Sequence, residues 1–176
     1  KKQIPQLVLD DKAHRAWFDD IMDGMGGSHV HSKPVDAKPE AYPATCPEAV
    51  ERLQRAVAHL KSKGYKRIAL VSHSMGSRMS HGYMIHNPAD VSAWAALGTG
   101  TGPGPVITYD GIKAPVLDLY GANELPRVLE GAAQRKASLK GNAASKQVVI
   151  PDTDHFYADH EDAMIKAVKD FLDGVK

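Results

Sequence analysis

A chain of 176 residues with 43% hydrophobic and 24% charged side chains has the size and make-up of one soluble globular domain with a buried core. Its 22 basic and 21 acidic residues leave a net charge of +1, so no electrostatic footprint for nucleic acid or an anionic membrane is present. No apolar run approaches the roughly 20 residues that a spanning helix needs.

The single cysteine, Cys46, excludes an internal disulfide and leaves the compartment open. Because the chain opens at Lys1 rather than methionine, upstream residues are expected to have been removed or cut off. A cytoplasmic location and export after loss of a signal peptide both fit.

Residues 4–9 (IPQLVL) read as a first strand, and residues 11–22 as an amphipathic helix with Ala13, Trp17, Phe18 and Ile21 on one face. From residue 24 to 43 the composition turns to Gly, Ser, His, Pro and Lys with no sustained period, which reads as a long surface loop. A clear helix begins at Thr45. Thr45 and Glu48 have capping-box spacing, and Pro47 sits in the first turn, where a missing N–H costs little. Val50, Leu53, Val57 and Leu60 form its apolar stripe, and Gly64 ends it.

The next stretch organises the rest. Residues 68–71 (IALV) are a short apolar run of the kind a fully buried strand carries. Ser72-His73-Ser74-Met75-Gly76 follows, and then Met75, Met79 and Tyr83 recur at helical spacing, facing a core. Strand, tight turn with a serine at its tip, helix: this is the context of a nucleophile elbow. A serine hydroxyl attacks only when a base takes its proton and when it protrudes toward substrate. A sharp turn does the second by straining the serine backbone. Small residues at positions 72 and 76 let strand and helix pass closely, and the N–H of Met75 at the helix start is a candidate oxyanion donor.

Residues 91–97 (VSAWAAL) read as the next strand, leading into a Gly/Pro-rich loop at 98–105 that lacks the lysine and hydroxyl ending of a phosphate-binding loop. Residues 116–120 (VLDLY) form another strand. A helix over about 126–139 would turn Val128, Leu129, Ala132 and Ala133 inward. Residues 147–150 (QVVI) make the last strand. The terminal helix carries Ala163, Met164, Ala167, Val168, Phe171 and Leu172 on one face. Strands alternating with helices predict an α/β fold, a mostly parallel sheet of about five to six strands with helices on both faces. One domain over 1–176 is expected, with residues 1–44 its irregular or incomplete portion.

Functional groups in such sheets collect beyond the carboxyl ends of the strands. Ser74, Glu124 and His155 stand there after three different strands, in the chain order nucleophile, acid, base. On these residues the chain resembles an α/β-hydrolase of the serine esterase or lipase type. SHSMG is similar to the family's G-H-S-M-G at all but Ser72, PVLDLYGANE to its P-V-L-x-x-Y-G-x-x-D, and DHFY to its histidine followed by an aromatic. The resemblance runs from about residue 45 to the end.

It implies a minimal hydrolase that cleaves a small-molecule carboxylic ester or thioester through an acyl-enzyme, with no metal or cofactor. Ser74 would be the nucleophile, His155 the general base and then acid, and Glu124 the group that orients the imidazole. The family's His-Gly oxyanion loop is absent here. The second oxyanion donor is then expected near Asp11, beside Met75. The short stretch between Leu97 and Val116 leaves no room for a helical cap domain.

Other candidates read as less chemical. Asp118 is the rival acid, but it lies inside a strand and reads as a buried, paired carboxylate. Asp152 and Asp154 stand too close to His155 in sequence to orient it. His29 and His31 share one side of an extended segment without a third metal ligand. His73 reads as packing beside the site, His81 and His86 as helix-surface or partly buried side chains, and Cys46 as an inert thiol at a helix start. A rival reading from another class is a hydrolase fold kept as an inactive binding or interaction module, favoured by the irregular N-terminal part and the missing oxyanion motif. Oligomeric state is not legible.

Overall fold

A computed structural model describes residues 42–100 and 106–175. The chain divides into two compact units, Lys1–Arg52 and Leu53–Lys176, and the sheet lies wholly in the second. The expected first strand at 4–9, the helix at 11–22 and most of the loop that follows fall outside the described residues. Among those described, no helix is long and apolar enough to cross a membrane.

The first helix, α1, spans Tyr42–Ser62, so it begins three residues before the expected Thr45. Pro43 takes the tolerated place in the first turn, and Pro47 falls inside the helix, where its missing N–H removes one helical bond. The helix ends as the sequence predicts. Gly64 turns left-handed at φ 87°, its N–H bonds Lys61 O at 2.9 Å, and the N–H of Tyr65 reaches back to Leu60 O at 3.2 Å.

Four strands follow, β1 (Ala69–His73), β2 (Ala93–Leu97), β3 (Val116–Gly121) and β4 (Lys146–Ile150). They pair in chain order and all in parallel, with His73 opposite Leu97, Leu97 opposite Leu119, and Gly121 opposite Ile150. The expected α/β fold with a parallel sheet is therefore present. The described residues supply four of the five or six strands.

Helices cover both faces, as the alternation along each strand requires. On one face Leu97, Leu117, Leu119 and Ile150 pack against Phe171, with Met164, Ala167, Val168 and Leu172 of α5 (Glu161–Gly174) closing over them. On the other, α2 (Met75–His86) buries Met79, Tyr83 and Met84. Burying a side chain of this size contributes about 1.5–3 kcal/mol.

The helix expected over 126–139 is two pieces, α3 (Pro126–Leu129) and α4 (Ala132–Ser138). The break alters which residues point inward. Val128 is buried as expected, but Leu129 is 41% exposed and Ala133 is exposed, while Arg135 is fully buried. The cause is Asp118. Its carboxylate faces α4 from inside β3 and accepts Arg135 Nε at 3.0 Å, Tyr109 Oη at 2.7 Å and Gln147 Nε2 at 2.8 Å. A buried charge needs such a counter-charge, and α4 turns to provide it.

A second difference concerns β1. Its apolar run predicts burial on both faces, yet Val71 is 54% exposed. Among the described residues β1 pairs only with β2, and the core under α5 begins at β2.

Candidate active site

The carboxyl ends of the four strands are tied together one residue beyond the ladder. Ser74 N–H bonds Leu97 O at 2.8 Å, Gly98 N–H bonds Leu119 O at 2.8 Å, and Ala122 N–H bonds Ile150 O at 2.9 Å. Just beyond this stitched edge stand Ser74, Glu124 and His155.

Ser74 stands between the end of β1 and the start of α2, with φ 56° and ψ −120°. A non-glycine residue at positive φ is costly, on the order of 1–3 kcal/mol, and persists only where its surroundings hold it. Here the strand bond to Leu97 fixes one side, and the N–H groups of Ser77 and Arg78 bond Ser74 O on the other.

The small residues flanking the turn have different roles. A Cβ on Gly76 would lie 3.8 Å from Ser72 Cβ, an ordinary contact, so among the described residues this glycine does not mark a forced close approach. Ser72 is more than a small spacer. Its hydroxyl accepts the indole N–H of buried Trp94 at 2.9 Å, and Ser77 Oγ donates to Ser72 O at 2.7 Å. Neither partner was legible in the motif.

Glu124 and His155 are both 5% exposed. Glu124 Oε2 accepts the Nδ1–H of His155 at 2.7 Å and the N–H of Leu125 at 2.9 Å. A carboxylate oxygen accepts, so the imidazole proton sits on Nδ1. The lone pair of Nε2 is thereby left facing Ser74 Oγ, 2.8 Å away. Oε1 of Glu124 is buried with no partner among the described residues. The structure thus brings Ser74, His155 and Glu124 into one hydrogen-bonded relay.

Two glycines make room for that relay. Gly98 has φ 56°, and a Cβ there would stand 2.9 Å from Glu124 Oε1 and 3.0 Å from His155 Cε1. Gly121 lets the loop after β4 cross the end of β3. A Cβ on it would lie 2.1 Å from Thr153 O, and that carbonyl accepts the N–H of Asn123 at 2.8 Å. The turn leading to Glu124 and the turn leading to His155 are therefore clamped backbone to backbone. The His155 loop itself is tightly wound, with Asp152, Tyr157 and Asp159 all at positive φ. Tyr157 Oη bonds Leu119 O at 3.1 Å, and burial raises the pKa of this phenol, with the charge of Glu124 adding to the effect.

His73 does more than pack beside the site. Its Nε2–H donates to the carbonyl of His155 at 2.8 Å, and the two rings lie 4.7 Å apart. One edge of His73 is open, while the edge against His155 and Tyr157 is shielded. That burial lowers its pKa from the ordinary histidine value; the bond to the His155 carbonyl opposes this, the nearby His155 charge adds to it, and the Glu124 charge opposes it.

The remaining candidates separate. Asp118 is wholly engaged by Arg135, Tyr109 and Gln147. Asp154 Oδ1 accepts the N–H of Phe156 at 2.9 Å in a local turn, and Asp152 is exposed. His81 is held by Thr108 O at 2.8 Å, and His86 ends α2 exposed. Met75 is the first residue of α2, where an N–H has no partner within the helix. Asp11, His29 and His31 lie outside the described residues, as does the side chain of Cys46. Phe156, the aromatic that follows the histidine in DHFY, is 75% exposed, its ring edge-on to His155 at 5.4 Å.

No family model and no curated protein matches the chain by sequence. Solved structures do. It is similar to Est1E from Butyrivibrio proteoclasticus, with 17% identity over 72% of this chain and 69% of that one and a TM-score of 0.61. It is also similar to a monoacylglycerol lipase from Paleococcus ferrophilus, with 14% identity, 73% and 75% coverage and a TM-score of 0.58. A third is MGS-MChE2, an alpha/beta hydrolase enzyme from the metagenome of sediments from the lagoon of Mar Chica, Morocco. It has 14% identity, 73% and 69% coverage and a TM-score of 0.57. At such identities the likeness speaks to architecture. With its parallel sheet and covering helices, the chain has the α/β-hydrolase fold.

Proposed function

We propose that the chain is a serine hydrolase that cleaves a carboxylic ester or thioester through an acyl-enzyme on Ser74. The observation that carries this reading is the relay Ser74 Oγ, His155 Nε2, His155 Nδ1, Glu124 Oε2, with spacings of 2.8 and 2.7 Å, on a serine held at positive φ. The likeness to the monoacylglycerol lipase from Paleococcus ferrophilus favours the same substrate class.

In the first half-reaction Ser74 Oγ adds to the substrate carbonyl while its proton passes to His155 Nε2. Glu124 steadies the imidazolium so formed. The oxyanion is received by the N–H of Met75 at the start of α2. Collapse expels the alcohol or thiol, which takes the proton from Nε2. Water then adds to the acyl-serine, giving its proton to Nε2, and the second collapse returns that proton to Ser74 and frees the acid. Atoms and protons balance without a metal or cofactor. Phe156 offers apolar surface beside the base, where the leaving group departs.

A serine-directed fluorophosphonate and p-nitrophenyl butyrate test this directly. Wild-type protein should be labelled and should hydrolyse the ester. Ser74→Ala should lose labelling and at least about 10³-fold of the rate while its melting curve stays in place. Equal labelling of Ser74→Ala would put the nucleophile elsewhere. A folded wild type that neither labels nor hydrolyses would leave the fold as a binding module.

A further inference from the structure

Ser74 follows β1 and His155 follows β4, the two outer strands of the described sheet. Three strand spacings, roughly 14 Å, separate those ends, so the His155 loop must reach back across β3 and β2. Two of its anchors hold it at β3. Asn123 N–H bonds Thr153 O at 2.8 Å, and Tyr157 Oη bonds Leu119 O at 3.1 Å. Neither fixes where the loop ends up relative to β1. Apart from the Ser74 hydroxyl itself, the bond that does so among the described residues is His73 Nε2–H to His155 O, 2.8 Å.

We propose that His73 is a positioning residue, which locks the backbone of the general base onto the strand that carries the nucleophile. This rests on the serine-hydrolase reading. His73 is covalently adjacent to Ser74 and hydrogen-bonded to His155, so it joins the two reacting groups through one rigid ring. Its place suits the task in a second way. The 4.7 Å approach of the rings would bring two positive charges together whenever both were protonated. The shielding of its inner edge disfavours charge on His73, which suits it to donate as a neutral ring. A displacement of about 1 Å in a reacting group can cost on the order of 10²-fold in rate, so a bond that fixes the base by its main chain acts on the chemical step and not on substrate affinity.

Two variants distinguish this from mere packing. His73→Phe keeps a ring and removes the donor. His73→Gln returns an N–H at nearly the same reach. On p-nitrophenyl butyrate, His73→Phe should lower kcat by about 10- to 100-fold with KM within about twofold, and His73→Gln should recover most of the loss. Melting temperatures of both are recorded alongside.

A second readout does not depend on turnover. The Nδ1–H proton of His155, assigned by its absence in His155→Ala, should give a sharp downfield resonance in wild type and His73→Gln. It should broaden or vanish in His73→Phe. If His73→Phe keeps both the wild-type kcat and that sharp resonance, the proposal is overturned. It is equally overturned if a folded His73→Gln is as impaired as His73→Phe. If wild type fails to react with fluorophosphonate, the hydrolase reading falls, and the resonance alone decides whether His73 positions His155.

Discussion

Asp118 and Glu124 are close in sequence, both buried, and each is hydrogen-bonded to a basic side chain. What separates them is the base that each meets. Arg135 is a permanent cation, so Asp118 neutralises it as part of the interior. On the serine-hydrolase reading His155 carries a transferable proton, so Glu124 would steady a reaction intermediate. Glu124→Gln should therefore lower kcat by about 10²–10⁴-fold and leave melting nearly unchanged. Asp118→Asn should cost about 3–5 kcal/mol of stability by stranding a buried cation. Parallel melts and esterase assays check both. A silent Glu124→Gln beside a stable, inactive Asp118→Asn would move the acid into β3. Sequence marks Glu124 by its place after a strand. It cannot mark the network of Asp118, because Tyr109, Arg135 and Gln147 come from three separate segments, and an arginine in a short helix reads as a solvated charge.

Between elements, the decisive contact is the crossing of the loops after β3 and β4 at Gly121. Gly121→Ala would drive a Cβ into the Thr153 carbonyl, which is backbone and cannot swing aside. It should destabilise by about 2–3 kcal/mol and part Glu124 from His155. Denaturant melts and kcat on p-nitrophenyl butyrate should fall together, and an active, fully stable variant would show the crossing to be loose. The four described strands were readable because apolar runs of strand length alternate with helical periodicity. Where that reading went astray, a tertiary demand had overruled the local one. The 126–139 helix breaks because Arg135 must reach Asp118. The apolar run of β1 describes burial on two faces, but only one has cover among the described residues. Ser72 looked like a tolerated departure, and the structure gives it the Trp94 indole to satisfy.

For the molecule as a whole, acid should loosen the fold through two histidines. His73 and His81 each donate Nε2–H to a carbonyl, and burial holds both below the ordinary value of 6.5. In the unfolded chain both take protons more readily. Their contribution is thus complete above about pH 6.5, declines as the pH falls from there, and levels off once both have titrated in the folded state. Melting temperatures recorded from about pH 8 to about pH 5 should fall on the acid side, and His81→Gln should flatten part of that fall; a constant or rising melting temperature would contradict it. The order of the sheet also acts in time. On the serine-hydrolase reading, His155 is 81 residues behind Ser74 in the chain, so a ribosome adding about 5–20 residues per second releases the serine roughly 4–16 s before its base. For that interval the hydroxyl is an ordinary alcohol, and a nascent chain cannot be acylated by esters it meets. On that reading the site is armed only once the stretch carrying His155 has been made.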